Sequence, residues 1–225
     1  MGFLSDSVHS MKKVVIIDYN LGNIFSVKHA CQNAGIEVEI SNSNRKLRSA
    51  HGLILPGVGA FRQAMKNIEL LNLREAIVES VNNGKPLLGI CLGMQLLFSE
   101  SDEFGKTSGL ELICGKVKRL KTTVEGENNS KVPNIGWRKL IKPSGIDWNN
   151  TVFKEINNGD YMYFVHSFYC EPAEKKNLLS TTLHGNNEYC STITNHENII
   201  ATQFHPEKSG ATGIRLLESW SQMFL

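Results

Sequence analysis

Gly89-Ile90-Cys91-Leu92-Gly93 sets one cysteine between glycines two positions before it and two after it. The apolar run from Pro86 precedes it and a helical segment follows, so it has the form of a nucleophile elbow with a thiol in the serine place. In such an elbow the nucleophile occupies strained backbone, and small flanking residues let strand and helix approach. The turn exposes the side chain at the carboxyl end of the sheet, where open α/β sheets bind ligands. A helix N-terminus also favours thiolate over thiol. Taken alone, the pentapeptide fits a buried structural cysteine almost as well.

His205-Pro206-Glu207 ends the apolar run Ile199 to Phe204. The proline biases His205 toward extended backbone, and in extended backbone residues two apart project to one side. His205 could take the thiol proton and return it to a leaving group, while Glu207 fixes its tautomer and orientation. A surface turn is the alternative. Pro56-Gly57-Val58-Gly59 closes another apolar run, and its glycine-flanked backbone could aim N–H groups at a developing oxyanion. A plain tight turn fits that segment equally well. A metal site competes for the same Cys/His/Glu set, but no second histidine or cysteine stands at ligand spacing nearby. There is no Walker pattern, and no G-x-G-x-x-G follows the first strand. His9, His29, His51, His184 and His196 are scattered and read as ordinary surface or core residues.

These groups need a scaffold, and the periodicity supplies one. Val14-Val15-Ile16-Ile17 reads as a strand buried on both faces. A helix is expected from Asn23 to Ala34, then a strand over Ile36 to Ile40 and another over Leu53 to Leu55. A long helix is expected from Ala60 to Val81, followed by a strand over Pro86 to Ile90 and a helix from Leu92 to about Ser99. This alternation predicts an α/β fold: an open, mostly parallel twisted sheet with flanking helices. The second half carries short β-like runs at Lys116 to Leu120, Tyr161 to His166, Leu178 to Thr182, Tyr189 to Thr194 and Ile199 to Phe204. They predict antiparallel additions, with a polar surface loop at Gly126 to Lys131 and a last helix from about Gly210 to Met223.

The 225 residues are 41% hydrophobic and 20% charged, enough for one α/β domain and without a disorder signature. We expect a loose leader over residues 1–12 and a single domain over 13–225. The net charge of +2 gives no reason to expect a nucleic-acid partner, and Lys118-Arg119 and Lys175-Lys176 read as solvated surface. Five cysteines without a C-x-x-C pair speak against a disulfide framework or zinc knuckle. With no apolar run long enough for a membrane span, the expectation is a cytoplasmic chain.

The order glycine turn, cysteine, histidine, glutamate resembles class I (triad) glutamine amidotransferases, whose fold is flavodoxin-like. Within that family, six segments resemble the branch of glutaminase subunits of imidazole glycerol phosphate synthases. They are Asp18 to Asn23, Leu55 to Phe61, Gly89 to Phe98, Lys131 to Trp137, Tyr163 to Tyr169, and Gln203 to Ser209. One departure stands out: Asn134-Ile135 occupies the place where this branch has His-Met, away from the triad positions.

The resemblance implies a γ-glutamyl thioester on Cys91, with His205 as base and then acid and Glu207 orienting it. It implies oxyanion donors at Leu92 and in the turn of Gly57, Val58 and Gly59. It implies a glutamine pocket lined by Gly59, Gln95, His166, Ser167 and Phe168, and no cofactor or metal. Ammonia would pass to a (β/α)8-barrel cyclase subunit that makes imidazole glycerol phosphate and AICAR in histidine biosynthesis. Asn20, Asn23, Trp137 and Lys208 would face that partner. In the free subunit the Gly57–Val58 peptide would turn its carbonyl, not an N–H, toward the oxyanion position, because glycine allows either sign of φ. Two other functions stay open at this point: a different cysteine hydrolase on the same fold, and a catalytically dead scaffold.

Overall fold

Alternate side chains of the first strand enter two different cores. The computed structural model describes residues 13–122 and 130–224, so the expected leader and most of the expected loop at Gly126 to Lys131 lie outside the described residues. In β1 (Val14–Ile17), Val15 and Ile17 join one buried cluster while Val14 and Ile16 join the other. The same split divides β3 (Gly52–Leu55), β4 (Leu87–Ile90) and β13 (Ile199–Thr202). These runs are buried throughout because both faces of the sheet are covered.

The remaining strands are β2 (Val38–Ser41), β5 (Phe98–Ser101), β6 (Thr107–Ser108), β7 (Ile113–Arg119), β8 (Asn134–Lys139), β9 (Tyr161–His166), β10 (Phe168–Pro172), β11 (Leu178–His184) and β12 (Asn187–Thr194). Among the described residues, eleven strands form one sheet in the order β2-β1-β3-β4-β13-β12-β10-β7-β5-β6, with β11 alongside β12. From β2 to β13 every pairing is parallel; β12 and β10 are added antiparallel. Strands β8 and β9 form a separate antiparallel ribbon. The α/β mixed sheet is therefore as expected. No helix among the described residues is long and apolar enough to cross a membrane.

The helices are α1 (Ile24–Asn33), α2 (Asn44–Ser49), α3 (Phe61–Leu70), α4 (Arg74–Asn82), α5 (Leu92–Leu96) and α6 (Gly210–Ser221). Two expectations need correction. The single helix over Ala60 to Val81 is two helices. Asn72 takes φ 52°, and the N–H groups of Asn72 and Leu73 return to the carbonyls of Glu69 and Ile68, a Schellman ending with asparagine in the left-handed position. Gly35 and Gly84 end α1 and α4 in the same way. The helix expected from Leu92 to Ser99 stops at Leu96, because Phe98–Ser101 pairs in parallel with β7 and strand pairing outweighs local helical pattern.

Candidate active site

The elbow forms where β4 meets α5. Cys91 has φ 54° and ψ −107°, a strained conformation for a non-glycine residue. Its N–H donates to the Thr202 carbonyl at 2.7 Å, tying it to the adjacent strand β13. The flanking glycines are demanded by close approach. A Cβ on Gly93 would lie 1.8 Å from the Leu55 carbonyl oxygen, and one on Gly89 would lie 3.0 Å from the Ala201 Cβ. Of the five cysteines, Cys91 alone occupies a strained strand-to-helix junction. Burial pushes the Cys31 thiol up to about 12 and raises those of Cys170 and Cys190 further, which leaves them inert.

His205 sits just past the end of β13, on extended backbone with φ −102°. Glu207 does not continue that extension. Pro206–Lys208 is a short 3₁₀ turn, so the two side chains meet because the chain curls back rather than because both project from a strand. The His205 Nδ1–H donates to Glu207 Oε1 at 2.7 Å, and both side chains are 1% exposed. Burial works against the imidazolium. The neighbouring Cys91 and Glu207 side chains outweigh burial and raise the His205 pKa. Its Nε2 is buried without a partner at full hydrogen-bond geometry. That is the arrangement expected of a base whose catalytic contact tightens only with substrate. The His205 backbone is anchored too: its N–H donates to Tyr163 and its carbonyl accepts from Ser209 Oγ.

A cavity of about 270 Å³ opens over Cys91. Of the residues expected at the glutamine pocket, Gly59, Gln95, His166, Ser167 and Phe168 all line it; so do Val58 and Leu92 of the oxyanion set. Gly57 lies behind the wall. Its φ is not positive, and a Cβ there would meet Tyr19 Oη, Leu92 Cβ and the Gly93 nitrogen at 2.6–2.8 Å. Close packing is therefore the structural reason for glycine at 57. Glu103, Pro133 and Val165 also line the cavity and were missed from sequence, since nothing local connects them with the elbow.

Among the described residues, no group of three or more His, Cys, Asp or Glu side chains could hold a metal ion.

Two buried networks support the walls. The Cys91 S–H donates to the Val165 carbonyl at 3.8 Å, and Gln203 Nε2 donates to Cys91 Sγ at 3.7 Å. On the opposite wall, His166 Nδ1–H donates to the Phe168 carbonyl at 2.8 Å. Its Nε2 must then accept, and it faces Asn134 Nδ2 and Tyr189 Oη, both at 3.1 Å. Asn134, read from sequence only as a departure outside the triad, is thus fully buried against the pocket histidine.

Burial drives the His166 pKa down to about 3, with His184, His205 and Arg138 adding to the effect and the Phe168 carbonyl opposing it. The unfolded chain therefore binds a proton near pH 6.5 that the native protein refuses until about pH 3. More protons bound when unfolded means stability falls as pH drops through that window, by up to ~1.4 kcal/mol per unit. Urea unfolding at pH 7 and pH 5 is the measurement. His166→Gln is expected to lose about 2 kcal/mol less than the parent between those two conditions.

The expected partner-facing residues divide. Trp137 stacks edge-on against Tyr163 at 6.0 Å, and the exposed Lys208 Nζ lies 5.9 Å from the Tyr163 ring centroid, so these form one patch. Asn20 is exposed and Asn23 half-buried just before α1.

Comparison with known proteins gives a consistent picture. The family model for class-I glutamine amidotransferases matches residues 15–220. The chain is 41% identical over 215 residues to the imidazole glycerol phosphate synthase subunit HisH 1 of Legionella pneumophila (strain Paris), covering 95% of this chain and 100% of the relative. It is 42% identical over 213 residues to the HisH subunit of Methanosarcina mazei, with the same coverage. Among solved structures, PurLQS from Thermotoga maritima aligns with a TM-score of 0.70 at 16% identity, covering 94% of this chain and 98% of that one. The glutaminase domain of Trypanosoma brucei CTPS, with bound acivicin, aligns with a TM-score of 0.61 at 14% identity over 93% and 94% of the two chains. These two likenesses speak for the fold.

Proposed function

The chain belongs to the class-I glutamine amidotransferases, in the branch of glutaminase subunits of imidazole glycerol phosphate synthase, and from that premise we propose how its residues divide the work. Its activity is hydrolysis of glutamine to supply ammonia for histidine biosynthesis, and it works with a partner subunit. Residues 13–225 act as one amidotransferase domain. Cys91 is the nucleophile, His205 the base and acid, and Glu207 the group that orients it. The observation that carries this assignment is the buried His205–Glu207 pair beside the strained cysteine.

The Cys91 sulfur attacks the side-chain amide carbon of glutamine. The thiol proton passes to His205 Nε2 and on to the departing nitrogen, which leaves as ammonia while a γ-glutamyl thioester remains. Water then attacks the thioester carbon and gives a proton to His205. The C–S bond breaks with its electron pair returning to sulfur, and glutamate leaves. The Leu92 N–H and one N–H from the Gly57-Val58-Gly59 turn hold the oxyanion. In the free subunit the Gly57–Val58 peptide turns its carbonyl there, which keeps the enzyme nearly idle. Gly59, Gln95, His166, Ser167 and Phe168 hold glutamine, and the Glu103 carboxylate at the same cavity suits its ammonium group.

The partner is a (β/α)8-barrel cyclase that receives the ammonia before water can protonate it. It docks on the ribbon face where Ile135 and Trp137 are half-exposed, extending over Lys208, Asn20 and Asn23. Lys208 pairs with a partner carboxylate. Glutamine hydrolysis is expected to be weak for the chain alone and strongly stimulated by the partner. Trp137→Ala is expected to raise the subunit dissociation constant on the order of tenfold or more, as loss of an aromatic anchor does. Glutamine turnover that ignores the partner, with an unchanged dissociation constant for Trp137→Ala, would reject this reading.

A further inference from the structure

Gln203 is fully buried and stands two residues before the candidate base, and its side chain touches the candidate nucleophile. Carboxamide oxygen and nitrogen are distinguished by their partners, and here the partners leave one solution. The Phe168 carbonyl can only accept, so the Gln95 group 3.0 Å from it is the NH₂. The second hydrogen of that NH₂ goes to Gln203 at 3.1 Å, so the Gln203 atom there is the oxygen Oε1. The Gln203 NH₂ is then left facing Cys91 Sγ at 3.7 Å. A backbone carbonyl thus dictates, through two buried carboxamides, that an N–H donor points at the sulfur.

We propose that Gln203 is a catalytic residue of this site, whose N–H stabilises negative charge on the Cys91 sulfur before attack and again when the thioester breaks. This rests on the reading of Cys91 as the nucleophile. A donor beside sulfur does little for a neutral thiol and more for an anion, because hydrogen bonds to charged acceptors are the stronger ones. In deacylation, water adds to the thioester carbon and His205 takes its proton. The C–S bond breaks with both electrons going to sulfur, and the Gln203 N–H meets the charge as it arrives. His205 supplies and removes the proton; Gln203 transfers none and so serves both half-reactions unchanged. Gln95 acts through Gln203 here and is a positioning residue for the nucleophile as well as a pocket wall.

The test is alkylation of the full-length chain by iodoacetamide from pH 5 to 9, with the Cys91 peptide followed by mass spectrometry because Cys114 is exposed and also reacts. Gln203→Met keeps length and apolar bulk but removes the donor. The midpoint of its Cys91 alkylation is expected to move about one pH unit upward, the size of one hydrogen bond to a charged group. Gln95→Met leaves Gln203 in place but frees its carboxamide to turn, and is expected to shift the midpoint the same way by less. If Gln203→Met does not fold, Gln95→Met decides. A folded Gln203→Met with the parent's midpoint, or failing that a Gln95→Met with the parent's midpoint, overturns the proposal. Should alkylation of Cys91 in the parent leave glutamine hydrolysis intact, it is the nucleophile assignment that falls, independently of Gln203.

Discussion

Replacing Cys91 by alanine is expected to lower glutamine hydrolysis by roughly 10⁴–10⁶-fold, the scale on which removal of a triad nucleophile acts. The assembled synthase should nevertheless continue to form product when given ammonium salts at alkaline pH. On the proposed mechanism Cys91 takes part in releasing ammonia and in clearing the thioester, but not in the step that consumes ammonia, and its thiol is buried in this chain. The substitution removes one sulfur from a cavity wall and leaves the flanking contacts of Gly89 and Gly93 untouched, so folding should survive. Parallel assays with glutamine and with ammonium chloride check this. Loss of both activities in a correctly assembled complex would show that Cys91 does more than release ammonia.

The second large effect concerns the backbone rather than the chemistry. A Cβ on Gly93 would stand 1.8 Å from the Leu55 oxygen and 2.8 Å from the Leu55 carbonyl carbon, and both belong to the backbone of a central strand. Neither can turn aside as a side-chain tip does. Gly93→Ala is therefore expected to cost roughly 4 kcal/mol or more, in the range of exceptional single substitutions. For a chain of this size that is a fall in melting temperature of about 10 °C. Gly145→Ala supplies the contrast. Gly145 has φ 79° and open space around it, so only the left-handed conformation opposes a side chain, at about 1–2 kcal/mol. Thermal unfolding of the two variants separates close approach from backbone conformation. Equal melting temperatures would mean that β3 and α5 can separate more easily than their packing implies.

The parallel half of the fold was legible because its four inner strands β1, β3, β4 and β13 are buried on both faces, and the elbow because glycine spacing records a steric demand. What stayed hidden had non-local causes. The Asn72 helix ending depends on a left-handed asparagine that looks in sequence like any polar helix residue. The Leu92-to-Ser99 segment was misread because Phe98 finds its partner in β7, distant in sequence. His205 and Glu207 were paired on the right residues with the wrong geometry, since the 3₁₀ turn does not follow from His-Pro-Glu alone. For Asn134 and Gln203 the sequence gives no sign of their contacts. Each takes its place from what surrounds it: a neutral imidazole and a tyrosine for the first, a cysteine sulfur and a second carboxamide for the second.

The β4–β13 pairing carries a mechanical consequence. Ile90 and Thr202 are register partners in that parallel pair, and Cys91 and His205 lie just beyond them. The ~4.8 Å repeat of the sheet therefore sets the spacing of the two strand ends from which the Cys91 and His205 segments depart. The opposite wall, with Val165 and His166, hangs on a two-stranded ribbon outside that sheet. The site thus joins a sheet-borne half to a ribbon-borne half, and the His205 N–H bond to the Tyr163 carbonyl ties the two together. A displacement of the ribbon would therefore reach the base as well as the pocket wall, so an event at the ribbon can change both glutamine binding and the alignment of Cys91 with His205.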